Sequence, residues 1–343
     1  MLVAISSRFA RYPAAFRNTL GRRGGQANVN GKPYPRRSSR SLRALAKLAL
    51  IFAIPFDIAL GAEKTSVYLY EDTRRLVSLV EEAALLVEQQ GEGAFAQFNT
   101  RGSKWWIDQY YIFVYGLDGT CLFHPIQPEL IGQNLIALKD MSGKPVVQFI
   151  TEIGRKPEKT AGGWIFYLWP DRVQLIPMWK SAYIRKVIGP GDKIYLVGSG
   201  VYNIKTEKFF VEERVRQAVD LLQAKGKDVA FQEFRNPASR FVFLDTYIFV
   251  LDIQGRTVVD PAYPTLKGRD LSGFKDAVGM ATIKEVLGKL RRGEQAWVQY
   301  LWPRPGAALP SRKLMHVRKV RVGDEEFIVG SDFFLATPIW MRG

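Results

Sequence analysis

Two stretches of the chain place apolar residues at helical spacing. Leu76, Val80, Ala83 and Val87 share one face while Glu81, Glu82, Glu88 and Gln89 lie elsewhere, and Val211, Val215, Ala218, Val219 and Leu222 repeat the spacing. Each half is therefore expected to open with a core-facing helix. The pattern then changes to short β-rich runs, 111–115 and 120–123, parted by Gly116-Leu117-Asp118-Gly119, whose Asp and Gly suit a hairpin turn. The second half does the same around Ile253-Gln254-Gly255. Three more strand-like runs follow in each half, 164–169, 179–187 and 194–198, then 296–302, 314–320 and 327–329. Helical connections at 144–153 and 281–290 precede them. The fold class this predicts is α+β, each half an antiparallel sheet of about five strands with a long N-terminal helix and helices packed to one side.

The halves are copies. Tyr111-Ile112-Phe113-Val114 recurs as Tyr247-Ile248-Phe249-Val250, and Phe98, Gly119, Pro125, Gly132 and Lys139-Asp140 match Phe234, Gly255, Pro261, Gly268 and Lys275-Asp276 at the same offset. Tyr167-Leu168-Trp169-Pro170 recurs as Tyr300-Leu301-Trp302-Pro303, and Gly198-Ser199 as Gly330-Ser331. The offset falls by only four residues across the unit, which indicates duplication of a whole domain rather than a solenoid of short repeats.

A net charge of +16 would suggest a nucleic-acid partner if it were spread evenly. It is not. Residues 1–62 hold eleven Lys and Arg against Asp57 alone, leaving +6 for the rest, so no nucleic-acid partner is expected. Within that leader a basic cluster precedes an apolar run at 48–56 and the small residues Ala59, Gly61 and Ala62, the layout of an export signal cleaved near Gly61 or Ala62. The run is shorter than the roughly 20 residues of a spanning helix, with a retained membrane anchor as the alternative. Arg36-Arg37 lacks the hydrophobic residue of a twin-arginine signal, and the true start is expected downstream of Met1, near Val29. The domains are then 1–62 as basic leader, 63–204 and 205–343, with the internal boundary at 203–210. The location expected is periplasmic or secreted.

Taken together, the Tyr-Ile-Phe-Val run, hairpin turn, His124-Pro125, Gly132, Leu138-Lys139-Asp140, Gly143-Lys144-Pro145, Gly162-Gly163-Trp164, Tyr167-Leu168-Trp169-Pro170, Lys180, Tyr183 and Gly198-Ser199-Gly200 resemble the type 2 Cache domain. The resemblance covers nearly all of 66–335 as two units. It implies two PAS-like, extracytoplasmic sensor domains of the kind found in bacterial chemoreceptors and histidine kinases, many of which bind small organic acids. The membrane signalling partner, a sensor kinase or chemoreceptor, would then be a separate protein.

A pocket on the sheet face toward the shorter helices needs charged or hydroxyl donors amid aromatic walls. The first copy offers Tyr111, His124, Tyr167, Trp169, Lys180 and Tyr183; the second offers Tyr247, Asp260, Tyr300, Trp302, Lys313 and His316. Strand Tyr and Trp also serve as plain core packing, and a lysine pointing outward is only a solvated strand residue. Asp260 should repel a carboxylate, so the first copy is expected to be the better carboxylate binder. The second would close on an internal Asp–Lys or Asp–His pair, or accept an amino group. His124 and His316 sit in different units without ligand spacing, and the single Cys121 builds no thiolate site, so neither a metal nor another cofactor is expected. No nucleophile elbow, phosphate-cradling loop or dinucleotide fingerprint is present, so no catalytic residue is assigned. The alternative to a sensor is an interaction scaffold with closed pockets, or a membrane-anchored sensor fragment.

Overall fold

The first described element is helix α1 (Glu71–Gln90), whose Leu76, Val80, Ala83 and Val87 are fully buried. The computed structural model describes residues 65–170, 176–304 and 309–335. The expected export leader and its cleavage site lie outside those residues. After α1 come a 3-10 turn, the short helix α2 (Phe95–Phe98), and a small ladder of β1 (Trp106–Ile107) with β2 (Tyr110–Tyr111). The main sheet of the first half then builds from β3 (Phe113–Gly116), β4 (Cys121–Phe123), helix α3 (Val146–Gly154), β5 (Gly162–Pro170), β6 (Pro177–Ile188) and β7 (Ile194–Tyr202).

Helix α4 (Lys208–Arg235) opens the second half, followed by β8 (Phe249–Asp252), β9 (Thr257–Val259), helix α5 (Thr282–Leu290), β10 (Gln295–Pro303), β11 (Pro310–Val322) and β12 (Glu325–Phe334). The two five-stranded sheets are antiparallel and share one topology, β4-β3-β7-β6-β5 and β9-β8-β12-β11-β10. The long strands outrun the expected ones. Their ladders continue through polar residues such as Arg318, Lys319 and Arg321, which hydrogen-bond by backbone whatever their side chains do.

Each sheet is covered on both faces. The long helix packs on one, α1 against β6 and β7, α4 against β11 and β12, while the short helix packs on the other. This corrects the expectation of helices on one side: alternate residues of β6 serve different cores, Ala182 and Ile184 facing α3 and Tyr183 and Val187 facing α1. The expected hairpin turn forms at Gly116–Gly119, with Gly119 at φ +91° and Gly255 at φ +91° in the second copy. Only glycine adopts that conformation freely, and a Cβ on Gly119 would also approach Ile136 to 3.0 Å. Helix α4 is interrupted at Gly226, φ +75°.

The halves belong to one compact unit and are not sealed from each other. The core under α1 extends into the second half through Phe210, Val211, Phe243, Leu314 and Phe333. Buried polar ties cross with it. The buried Glu207 carboxylate accepts the backbone N–H groups of Leu69 and Tyr70 at 2.8 and 2.9 Å, just before α1 begins. Fully buried Lys144 donates from Nζ to the carbonyls of Ser239 and Val242 at 2.6 and 2.5 Å. Burial pushes the Lys144 ammonium down to about 8, with Asp140 opposing the shift.

Candidate functional site

Each sheet holds a cavity between itself and its short helix. In the first half the cavity is about 30 Å³ and is lined by Tyr111, His124, Tyr167, Trp169 and Lys180, with Phe113, Tyr115, Gln127 and α3 residues Val146, Val147 and Ile150 completing its walls. In the second half it is about 150 Å³, lined by Tyr247, Asp260, Tyr300, Trp302 and Lys313, with Leu266, Phe274, Met315 and Asp332. The structure thus brings together five of the six expected residues of each copy.

The sixth is elsewhere in both. Tyr183 and His316 lie on the long-helix face, because Lys180 to Tyr183 and Lys313 to His316 are odd steps along a strand and so turn to opposite sides. The Tyr183 hydroxyl donates to Glu81 of α1 at 2.9 Å, and Arg185 Nε pairs with the same carboxylate at 3.1 Å. His316 is buried against Trp297 with ring centroids 4.8 Å apart, and its Nδ1 has no hydrogen-bond partner among the described residues. Burial, partly opposed by Glu212, pushes its pKa down to about 4, so the ring is neutral at physiological pH.

The first cavity is built around a buried cation. Lys180 is 2% exposed; its Nζ donates to the Tyr111 hydroxyl at 2.5 Å and lies 4.5 Å from that ring's centroid. Burial raises the hydroxyls of Tyr115 and Tyr167 well above the usual phenol range, so both remain protonated. His124 stacks on Phe113 and accepts the Gln127 N–H at Nδ1 (3.0 Å), which places the proton of the neutral ring on Nε2. The donor set is therefore an ammonium, phenol hydroxyls and an imidazole N–H, a combination suited to a small anion.

The second cavity uses the same framework and pairs its lysine with a carboxylate. Lys313 Nζ lies 2.7 Å from Asp332 Oδ1, and the Tyr300 hydroxyl donates to Asp332 Oδ2 at 2.5 Å. The expected internal Asp–Lys pair exists, but its acid is Asp332, not Asp260. Asp332 escapes a comparison of the copies because the matching residue of the first is Gly200, across from Ala182 as Asp332 is across from Met315. A side chain at Gly200 would meet Lys180 Cε at 2.9 Å from its Cβ, so the lysine lies over the space the glycine leaves. Asp260 accepts the backbone N–H groups of Ala262 and Tyr263 through Oδ1, the second at 2.9 Å. His124 does the same for Gln127, three residues on, so both cap the same turn. Burial raises the Asp260 carboxyl above the usual range, against those hydrogen bonds and with Asp332 adding to it.

Asp140 and Asp276 fix the loops that close the cavities. Asp140 accepts from the backbone of Ser142 and Lys144 and reaches Leu168 N at 2.8 Å; Asp276 accepts from Val278, Met280 and Leu301. The repeated Lys-Asp pair marked these positions, although not this role. Among the described residues no cluster of three or more His, Cys, Asp or Glu could hold a metal ion, and no helix is long and apolar enough to cross a membrane.

Comparison with known proteins agrees with the duplication. A family model described as Cache domain matches residues 105–207, and one described as Single Cache domain 2 matches 196–335. The methyl-accepting chemotaxis protein McpP of Pseudomonas putida is 30% identical over 91 residues, which are 26% of this chain and 16% of that protein. The chain thus spans about a sixth of the curated relative it matches. Among solved structures, the periplasmic sensor domain of a chemotaxis protein is 27% identical with a TM-score of 0.29, covering 36% of this chain and 87% of that one. A Cache chemosensory domain described for carboxylic acid recognition is 24% identical with a TM-score of 0.32, covering 36% and 90%.

Proposed function

Since this chain belongs to the Cache family and carries two of its domains in tandem, we propose that it is a non-enzymatic, exported sensor whose first domain binds a short carboxylate. The observation that carries the reading is the buried Lys180 ammonium, which lines the first cavity together with Tyr111 and His124. A cavity of about 30 Å³ has room for two or three water-sized groups, the scale of acetate rather than of a sugar. The second domain, holding Asp332 and Asp260 against one lysine, disfavours an anion and suits a neutral or amine-bearing molecule. Binding would alter the packing of α3 and the Asp140 loop on the sheet, and a separate membrane protein, a chemoreceptor or sensor kinase, would read the change.

Calorimetry with acetate, propionate and pyruvate tests this. Lys180→Ala should weaken carboxylate binding more than tenfold and Lys313→Ala by less than twofold. Loss only in Lys313→Ala would reverse the assignment of domains. Absence of binding to the wild-type protein would favour the closed scaffold instead, and an N-terminus beginning at Met1 on the native protein would overturn export with cleavage.

A further inference from the structure

A third cavity is larger than either of these two. It is a groove of about 520 Å³ between the domains, walled by β5 and α3 of the first and by the start of α4 and Arg240 of the second. Its deepest charged group is Arg214, 6% exposed, with the guanidinium 5.3 Å from the centroid of Phe243 and 5.7 Å from that of Phe166. Arg214 Nη1 donates to the neutral amide of Gln217 at 2.8 Å, and its Nε–H has no partner among the described residues.

The nearby acids are committed elsewhere. Glu213 is held by Arg216 and Gln217, and Glu152 pairs with Arg240. Lys156 also lines the groove, so three cations face two carboxylates. A guanidinium keeps its charge in proteins, and one buried without a carboxylate is costly unless an anion arrives. An orphaned buried N–H in a roomy polar groove points to a ligand group that satisfies it. Burial and then Arg240 both act against the charged form of Arg214, as expected of a site lacking its counter-ion.

We propose that this groove is a second ligand site, for a carboxylate carried on a flat aromatic body. The Nε edge of Arg214 takes the carboxylate, since a guanidinium presents parallel donors that match it. Trp164, Phe149 and Phe209 supply the apolar walls, and the volume falls within the range of small-molecule pockets. Such a ligand would touch both domains at once, unlike one in either sheet cavity. The inference stands apart from the short-carboxylate reading of the first domain.

Crystals of the wild-type protein soaked with 4-bromobenzoate provide the direct test. An anomalous bromine peak in the groove with the carboxylate on Arg214 is expected; no peak there, or one only in a sheet cavity, overturns the proposal. In solution, benzoate should bind at least tenfold more weakly to Arg214→Gln and equally well to Lys180→Ala, and neutral benzamide should not compete. Benzoate binding lost in Lys180→Ala and kept in Arg214→Gln would overturn it too. Should Arg214→Gln fail to fold, the wild-type bromine position still decides.

Discussion

Gly200 and Asp332 occupy the same position of two sheets with one topology, and the second places a carboxylate 2.7 Å from the ammonium of Lys313. Asp332→Asn should therefore convert the second cavity into an anion site. In a Lys180→Ala background, calorimetry should register acetate binding at least tenfold stronger than with Asp332 intact. Without ligand the variant should lose about 3 kcal/mol, the cost of leaving a buried ammonium without its partner. Unchanged acetate affinity would show that the carboxylate does not control access to Lys313.

Tyr183 offers a check on which face carries the site. Its hydroxyl holds Glu81, so Tyr183→Phe should cost about 1.5–3 kcal/mol in urea unfolding, the range for a hydrogen bond to a charged group. Acetate affinity, which reads the first sheet cavity, should stay within twofold of wild type. A tenfold loss would place Tyr183 functionally in the cavity, against the strand alternation.

His316 gives the fold a pH dependence of known sign. Its folded pKa, about 4, lies below the ordinary value of 6.5, so between those limits the unfolded chain binds a proton that the folded one refuses. Its contribution to stability is complete above pH 6.5 and declines as the pH falls toward 4, by about 3 kcal/mol at most. Denaturant unfolding of wild type and His316→Phe at pH 7 and 4.5 should show the variant losing less on acidification. Equal losses would contradict a neutral buried ring.

Lys144 tests the joint between domains. Lys144→Ala leaves the carbonyls of Ser239 and Val242 without their donor, which should cost about 2–4 kcal/mol. Hydrogen exchange should rise first in the segment 238–246. Protection unchanged there would make the lysine a local feature of its own loop.

Much of this architecture was legible because the chain states it twice. The Tyr-Ile-Phe-Val run and the Tyr-Leu-Trp-Pro run anchor matching strands, and the helical stripes led by Leu76 and Val211 mark the long helices. Ten of the twelve expected site residues line the two cavities. Tyr183 and His316 stand three residues beyond the lysines, and a three-residue step along a strand turns a side chain to the opposite face. Asp332 was hidden for a different reason: comparing copies reveals what they share, and Asp332 is where they part. The bonds from Lys144 to Ser239 and from Glu207 to Leu69 join residues roughly a hundred or more positions apart, and no periodicity or motif encodes such pairs.

The carboxylate of Glu207 has a mechanical meaning. It stands immediately before α4 and grips the backbone immediately before α1, so the two longest described helices share an origin although 137 residues separate their tethers. Helices fastened at one end cannot slide past each other without breaking that grip. A relative movement of the two long helices would therefore pivot at Glu207, small at the pin and greatest at their far ends, as in the blades of a pair of shears.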